Sequence, residues 1–218
     1  MSAATPLSQR LAHATRAMHQ RAEKSGIMPA LLRGQLGRHS YGLLLRNLQA
    51  LYAALETALD HNAVSPVVAP IRVPALYRSQ ALRDDLDALQ GLDWPALPLT
   101  ITMVRYVERI EEQSRSRPHL LAAHAYVRYM GDLSGGQILR NIVGRSLSLP
   151  EGTGTAFYSF AAVTDMAATK AHFRAAIDAL PLDASDATAL TDEAIEGFGR
   201  HVELFEEIEA IPQGEASR

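Results

Sequence analysis

One stretch limits the fold more than any other: residues 126–141, YVRYMGDLSGGQILRN, set three glycines inside a helical pattern. The flanks, Leu120 to Met130 and Gln137 to Leu147, carry apolar residues at helical spacing. Gly131, Gly135 and Gly136 each cost about 1 kcal/mol against alanine in a helix interior. Gly131 and Gly135 fall one turn apart on one face, and Gly135 and Gly136 stand three and four residues past Asp132, leaving bare backbone beside a carboxylate. Two readings suit this spacing: close packing against another helix, or a large flat ligand lying on the backbone.

The rest of the chain agrees with a helical protein. Thr5 ahead of Pro6 marks a cap and first-turn proline, and Leu7, Leu11, Ala14, Met18 and Ala22 continue a helix from Pro6 to Lys24. A short helix is expected over Ile27–Arg33 and a long one over His39–Asp60. SPVVAPIRVP, with three prolines in ten residues, reads as an extended, ordered connector, and Ser79 as the cap of a helix running to Leu89. Further helices are expected over Leu99–Gln113, from Pro118 to a stop before Pro150, over Asp165–Leu180, and over Ser185–Ile211, with EGTGT as a turn and the tail from Pro212 frayed. No period-two alternation and no internal repeat occurs, so the fold class is all-α. With 218 residues, 47% of them hydrophobic, the chain has enough material for one domain with a sizeable core.

Several functions are excluded or disfavoured. The absence of cysteine rules out disulfides, a CxxC redox pair and a thiolate ligand to iron. A formal charge of −3, with basic residues scattered among acids, gives no attraction to nucleic acid. The N-terminus lacks a signal-peptide pattern and no apolar run approaches the roughly 18 residues of a membrane span, so a cytoplasmic protein without a membrane anchor is expected. Eight histidines invite a metal, yet neither ExxH nor HExxH occurs, and the P-loop and GxSxG patterns are missing too. That leaves a bound organic cofactor or none. Thr15, His19 and Glu23 fall four apart at the edge of the first helix's apolar face, which puts a carboxylate one turn below an imidazole.

HAYVRYMGDLSGGQ, His124 to Gln137, resembles the distal-helix signature of the heme oxygenases. ATRAMHQRAE, Ala14 to Glu23, resembles their proximal-helix segment, SPVVAPIRVPAL their proline-rich connector, and VELFEEIE their last helix. The resemblance implies one heme oxygenase-type domain over 1–218, with heme b between the first helix and a glycine-kinked distal helix, as both cofactor and substrate. His19 matches the axial iron ligand, Glu23 a carboxylate orienting it, and Thr15 a neighbour on the same helix face. Asp132 matches the distal aspartate that holds water over the iron, with Arg128 and Tyr52 anchoring that network and Gly131, Gly135 and Gly136 admitting the macrocycle. Tyr126, Lys170 and Arg174 match groups that contact the heme propionates. Two positions depart from the pattern of some relatives: Ala12 stands where they carry lysine, and His201 where they carry a distal asparagine, which places His201 among the candidate catalytic residues.

The activity implied is reductive activation of O2 at heme iron and opening of the ring at a meso carbon, the α position, to biliverdin, CO and ferrous iron. A ferredoxin or flavoprotein reductase would supply the electrons, and a phytochrome is a candidate biliverdin acceptor; a monomer is expected. The alternatives are a heme carrier using the same pocket without turnover and a thiamin-pathway hydrolase on a related helical fold. The second is weakened because that chemistry resembles cysteine-dependent catalysis.

Overall fold

The computed structural model describes residues 5–212. Among them the chain forms α-helices and short 3-10 turns with no strand, as the periodicity requires. The helices are α1 (Leu7–Ala22), α2 (Met28–Leu32), α3 (Arg38–His61), α4 (Ser79–Gln90), α5 (Ile101–Ser116), α6 (Leu121–Ser146), α7 (Met166–Asp178) and α8 (Ala184–Ala210). The part of the expected frayed tail beyond Pro212 lies outside the described residues.

The central element is α3. Leu43, Leu45, Leu51, Leu55 and Leu59 are wholly buried, with Tyr41 and Tyr52, because the helix is apolar on most of its circumference. It packs against α4 and α5, while α8 runs along α1 and α6. The α1–α8 contact includes a close backbone approach just after α1. Gly26 has φ +50°, and a Cβ there would stand 2.1 Å from the Phe205 carbonyl carbon and oxygen. Only glycine satisfies both conditions. Among the described residues no helix is long and apolar enough to cross a membrane.

Local signals placed most helix ends within a few residues. The Thr100, Asp165 and Asp183 side chains cap α5, α7 and α8 by accepting from the N–H groups of Met103, Ala168 and Asp186 at 3.1, 2.9 and 2.8 Å. Two expected caps are instead supplied across the fold. Pro6 occupies the cap position of α1 and makes no side-chain bond. The Asp178 carboxylate of α7 accepts from the Ser8 N–H and hydroxyl at 2.7 and 3.0 Å. Ser79 is likewise the first residue of α4 and not its cap; the buried Glu56 carboxylate of α3 accepts from the Arg78 and Ser79 N–H groups and the Ser79 hydroxyl. The proline-rich connector is not extended throughout. It folds into 3-10 turns at Ala69–Ile71 and Pro74–Leu76, which bury Val68, Ile71 and Leu76 completely. Burial of those three side chains outweighs the extended preference of a proline-rich run.

Candidate active site

A cleft opens between α1 and the middle of α6. His19 and Glu23 line one side, Val127, Gly131 and Gly135 the other, and Phe198 of α8 closes it. It has an inner lobe of about 270 Å³ and an open outer lobe of about 780 Å³. Both are of the order of a small-molecule or cofactor site. The helix α6 passes through all three glycines without interruption. A Cβ on Gly131 or Gly135 would meet nothing within 4 Å, whereas one on Gly136 would lie 3.5 Å from the Tyr158 carbonyl oxygen. Packing against another helix therefore does not demand glycine at 131 and 135. Their bare backbone faces the cleft, as a flat ligand would require.

Asp132, one residue past Gly131, is buried at the inner lobe and held on both carboxylate oxygens. Its Oδ2 accepts the Tyr52 hydroxyl proton and its Oδ1 accepts from Arg128 Nη2 at 3.1 Å. Arg128 Nε donates to the Tyr52 oxygen at 3.0 Å, and Nη1 reaches His201 Nε2 at 3.0 Å. A guanidinium only donates, so His201 Nε2 accepts and Nδ1 carries the proton, which it gives to the Gly197 carbonyl at 2.7 Å. Behind His201, the Tyr106 ring lies edge-on at 5.8 Å and its hydroxyl bonds His124 Nδ1 at 3.1 Å. The pair Arg128–Asp132 sits at i,i+4, a spacing equally available to two solvated side chains; tertiary burial makes it an interior network.

Burial pushes the Asp132 carboxyl above the ordinary carboxylate value, and the Arg128 charge, the Tyr52 hydrogen bond and Arg78 pull it back. A carboxyl raised in this way is better matched to accepting and returning a proton near neutral pH. Burial alone would weaken the Arg128 charge, but Tyr52 and Asp132 outweigh it and raise its pKa. Burial and the Arg128 charge together lower His201 to about 3, so it is a neutral acceptor.

This has a measurable consequence for stability. A histidine whose folded pKa is depressed contributes stability above its unfolded pKa of about 6.5, and that contribution is lost as pH falls toward the folded value. His124, lowered to about 4 by burial, acts in the same sense; Asp85, raised to about 6 by burial, acts in the opposite one. Between pH 7 and pH 5 His201 alone accounts for a loss of about 2 kcal/mol, roughly 1.5 pH units at 1.36 kcal/mol each. Urea unfolding of the heme-free His201→Asn protein is expected to lose about 2 kcal/mol less than the wild type over that range. Equal losses would mean that His201 titrates as an ordinary histidine.

Across the cleft, His19 is half exposed. Its Nδ1 faces the Glu23 carboxylate at 3.7 Å and its ring meets Phe198 edge-on at 5.6 Å, while Nε2 has no partner among the described residues. No three His, Asp or Glu side chains cluster there to hold an ion by themselves. Such a site fits a metal that arrives with most of its ligands, and a heme iron needing one imidazole meets that description. The Glu23 carboxylate stands where it can accept the Nδ1 proton and orient the ring.

The outer lobe contains Thr15, Tyr126 and Arg174. Thr15 bonds back to the Leu11 carbonyl at 2.8 Å. Burial raises the Tyr126 phenol, offset by its hydrogen bond with Thr15 and by Arg174. Lys170 lies one turn before Arg174 on α7, half-buried, and outside the lining of both lobes. The structure adds residues that the sequence reading did not single out. Phe157 and Tyr158 form part of the inner wall, and Met28, Leu31, Leu44, Leu48 and Phe205 its apolar interior. Only the aromatic run AFYSF, Ala156 to Phe160, was a signal for the first two.

Comparison with known proteins converges on this geometry. Residues 5–207 match the sequence profile described as "Heme oxygenase". Heme oxygenase 1 of Nostoc sp. is 38% identical over 93% of this chain and 86% of its own length, and that of Homo sapiens 38% identical over 94% and 72%. The crystal structure of Synechocystis heme oxygenase-1 in complex with heme superposes with a TM-score of 0.90 at 36% identity, covering 94% of this chain and 93% of that one. Heme oxygenase from Leptospira interrogans gives the same TM-score at 35% identity, covering 93% and 100%. With the fold, the glycine-lined cleft and these relatives in agreement, the chain belongs to the heme oxygenase family and is an oxidoreductase of it.

Proposed function

We propose that the chain opens heme at a single meso carbon, the α carbon, releasing biliverdin, CO and ferrous iron with O2 and electrons from a separate ferredoxin or flavoprotein donor. The observation that carries this reading is the opposition, across one cleft, of a single free imidazole at His19 and the buried Asp132–Arg128–Tyr52 network.

Heme, when bound, supplies the site of O2 reduction. The protein's own part is positional. His19, which lines the cleft, would take the iron through Nε2, and Glu23 would orient the imidazole through Nδ1. Gly131 and Gly135 let the macrocycle lie against helix backbone. Asp132, with Arg128 and Tyr52 fixing its two oxygens, would order water at the inner lobe and relay protons through it. His201 accepts from Arg128 and so holds the guanidinium in place. Thr15 and Tyr126 border the outer lobe beside Arg174, which with Lys170 supplies positive charge for the propionates.

The test is heme titration followed by supply of ferredoxin, its reductase and NADPH in air. The expected product is biliverdin as one isomer, with CO released. A stable heme complex that accepts electrons and opens no ring would make the protein a heme carrier and defeat the proposal. Lys170→Ala combined with Arg174→Ala is expected to loosen heme by roughly tenfold and to mix the isomers, because charge-assisted contacts are lost at one edge of the ring. Unchanged affinity and one isomer would remove the pair from the site.

A further inference from the structure

The inner wall formed by Phe157 and Tyr158 belongs to a turn, residues 154–160, with little secondary structure of its own beyond one 3-10 turn at Ala156–Tyr158. Loops of this kind are ordinarily mobile unless their backbone groups are tied down. Here buried side chains from α3, from α4 and from Arg78 just before α4 hold it. The Tyr41 hydroxyl donates to the Gly154 carbonyl at 3.0 Å. Asp85 accepts from the Ala156 and Phe157 N–H groups at 2.7 and 2.8 Å, one on each carboxylate oxygen. Arg78 donates to the Ser159 carbonyl, and its guanidinium lies 4.0 Å above the Phe160 ring.

Asp85 is 1% and Arg78 7% exposed, and neither makes a salt bridge with the other or with any other described residue. Burying two unpaired charges is costly, and hydrogen bonds offset the cost: both Asp85 oxygens are bonded to this turn, and Arg78 shares its donors between the Ser159 carbonyl of the turn and the Leu76 and Ala75 carbonyls. Arg78 is itself fixed from behind, since Glu56 accepts its backbone N–H. The turn in turn touches the reacting side of the cleft. The Phe157 ring stands edge-on to Tyr52 at 5.6 Å, and Tyr52 donates to Asp132. The Tyr158 carbonyl lies 3.5 Å from where a Gly136 Cβ would be.

We propose that Asp85 and Arg78 are positioning residues for the ring opening: by clamping the 154–160 turn they hold Phe157 and Tyr158 as a fixed wall opposite His19, and that wall confines attack to one meso carbon. Neither residue lines the cleft: Asp85 reaches it through the turn, and Arg78 through the turn and through its charge, which also acts on Asp132. The proposal rests on the heme-opening reading above. If wild-type protein yields no biliverdin, that reading fails; if it yields one isomer, the clamp is tested by variants.

Asp85→Asn leaves one N–H of the turn without an acceptor, and Arg78→Met removes the donor and the charge at similar length. Both are assayed as heme complexes, with circular dichroism to show that they are folded, and the biliverdin isomers are separated by chromatography. Each is expected to give a second isomer at about one-tenth of the product or more, where tenfold corresponds to about 1.4 kcal/mol between routes. Arg78→Lys, which keeps a cation over Phe160 and one donor for Ser159, is expected to restore a single isomer. A mere loss of stability would lower yield without changing the isomer ratio.

Phe160→Leu loosens the same turn without touching α4 and carries the test if the charged variants fail to fold. A single isomer from every folded member of Asp85→Asn, Arg78→Met and Phe160→Leu overturns the proposal. Mixing by Arg78→Met alone also overturns it, because loss of a positive charge near Asp132 would then suffice.

Discussion

Asp132→Ala is expected to retain heme while biliverdin formation falls by roughly 100-fold or more, with peroxidase-like oxidation of a reducing dye appearing in its place. The carboxylate is the acceptor for two donors, Tyr52 and Arg128, and stands at the inner lobe facing His19. Removing it takes away the group proposed to order water beside bound heme, so oxidation of the dye would compete with ring opening. His201 does not replace it while its acceptor Nε2 is engaged by an Arg128 N–H and its Nδ1–H donates to the Gly197 carbonyl. Arg128 would also be left as a buried cation with a weakened set of acceptors, which costs stability. Asp132→Asn separates the two effects, because an amide oxygen still accepts from Arg128 while the proton-carrying group is gone. The checks are product analysis under reductant and a dye assay with peroxide. Near-normal biliverdin from Asp132→Ala, with no gain in dye oxidation, would exclude the proton-relay role.

His19→Ala is expected to abolish normal turnover while loosening heme by only roughly 10- to 100-fold, about 1.4–2.8 kcal/mol. The apolar interior of the inner lobe and the polar groups of the outer lobe persist without the imidazole, so much of the binding surface remains. Heme would lose the imidazole proposed to bind its iron, and Glu23 its partner at 3.7 Å. The visible spectrum of the heme complex reads ligation directly, and its titration reads affinity. An unchanged spectrum together with full activity would show that another group binds the iron.

The two substitutions act on opposite sides of one cleft, and the chain's order hides that relation. His19 lies on α1, and Asp132 on α6, with most of the core helices between them. Each was legible locally: His19 by its place four residues before Glu23 on a helix edge, Asp132 by the glycines around it. The roles came from resemblance in the two segments that contain them. The open face at Gly131 and Gly135 then showed that helix packing does not demand glycine there, a point that spacing had left undecided.

Periodicity and punctuation are local properties, and they were enough for the all-α class and for helices whose caps lie on the same segment, such as those begun by Thr100, Asp165 and Asp183. They placed the starts of α1 and α4 to within a residue but missed what caps them, because Asp178 and Glu56 reach those helices from 170 and 22 to 23 residues away in sequence. The polar network followed the same rule. Tyr52 and Arg128 are 76 residues apart, and Arg128 and His201 73, so only the packing of α3, α6 and α8 could bring them together. The turn over 154–160 is the extreme case: it has no strong periodicity, and its position is set by Asp85 and Arg78 some 70 to 80 residues earlier. The sequence by itself determined where helices form, where backbone is left bare and which histidine has a carboxylate below it, because those depend on neighbours within a turn or two. The tertiary structure decided which buried charges meet and which wall they support, because a buried charge is tolerable only where folding delivers its partners.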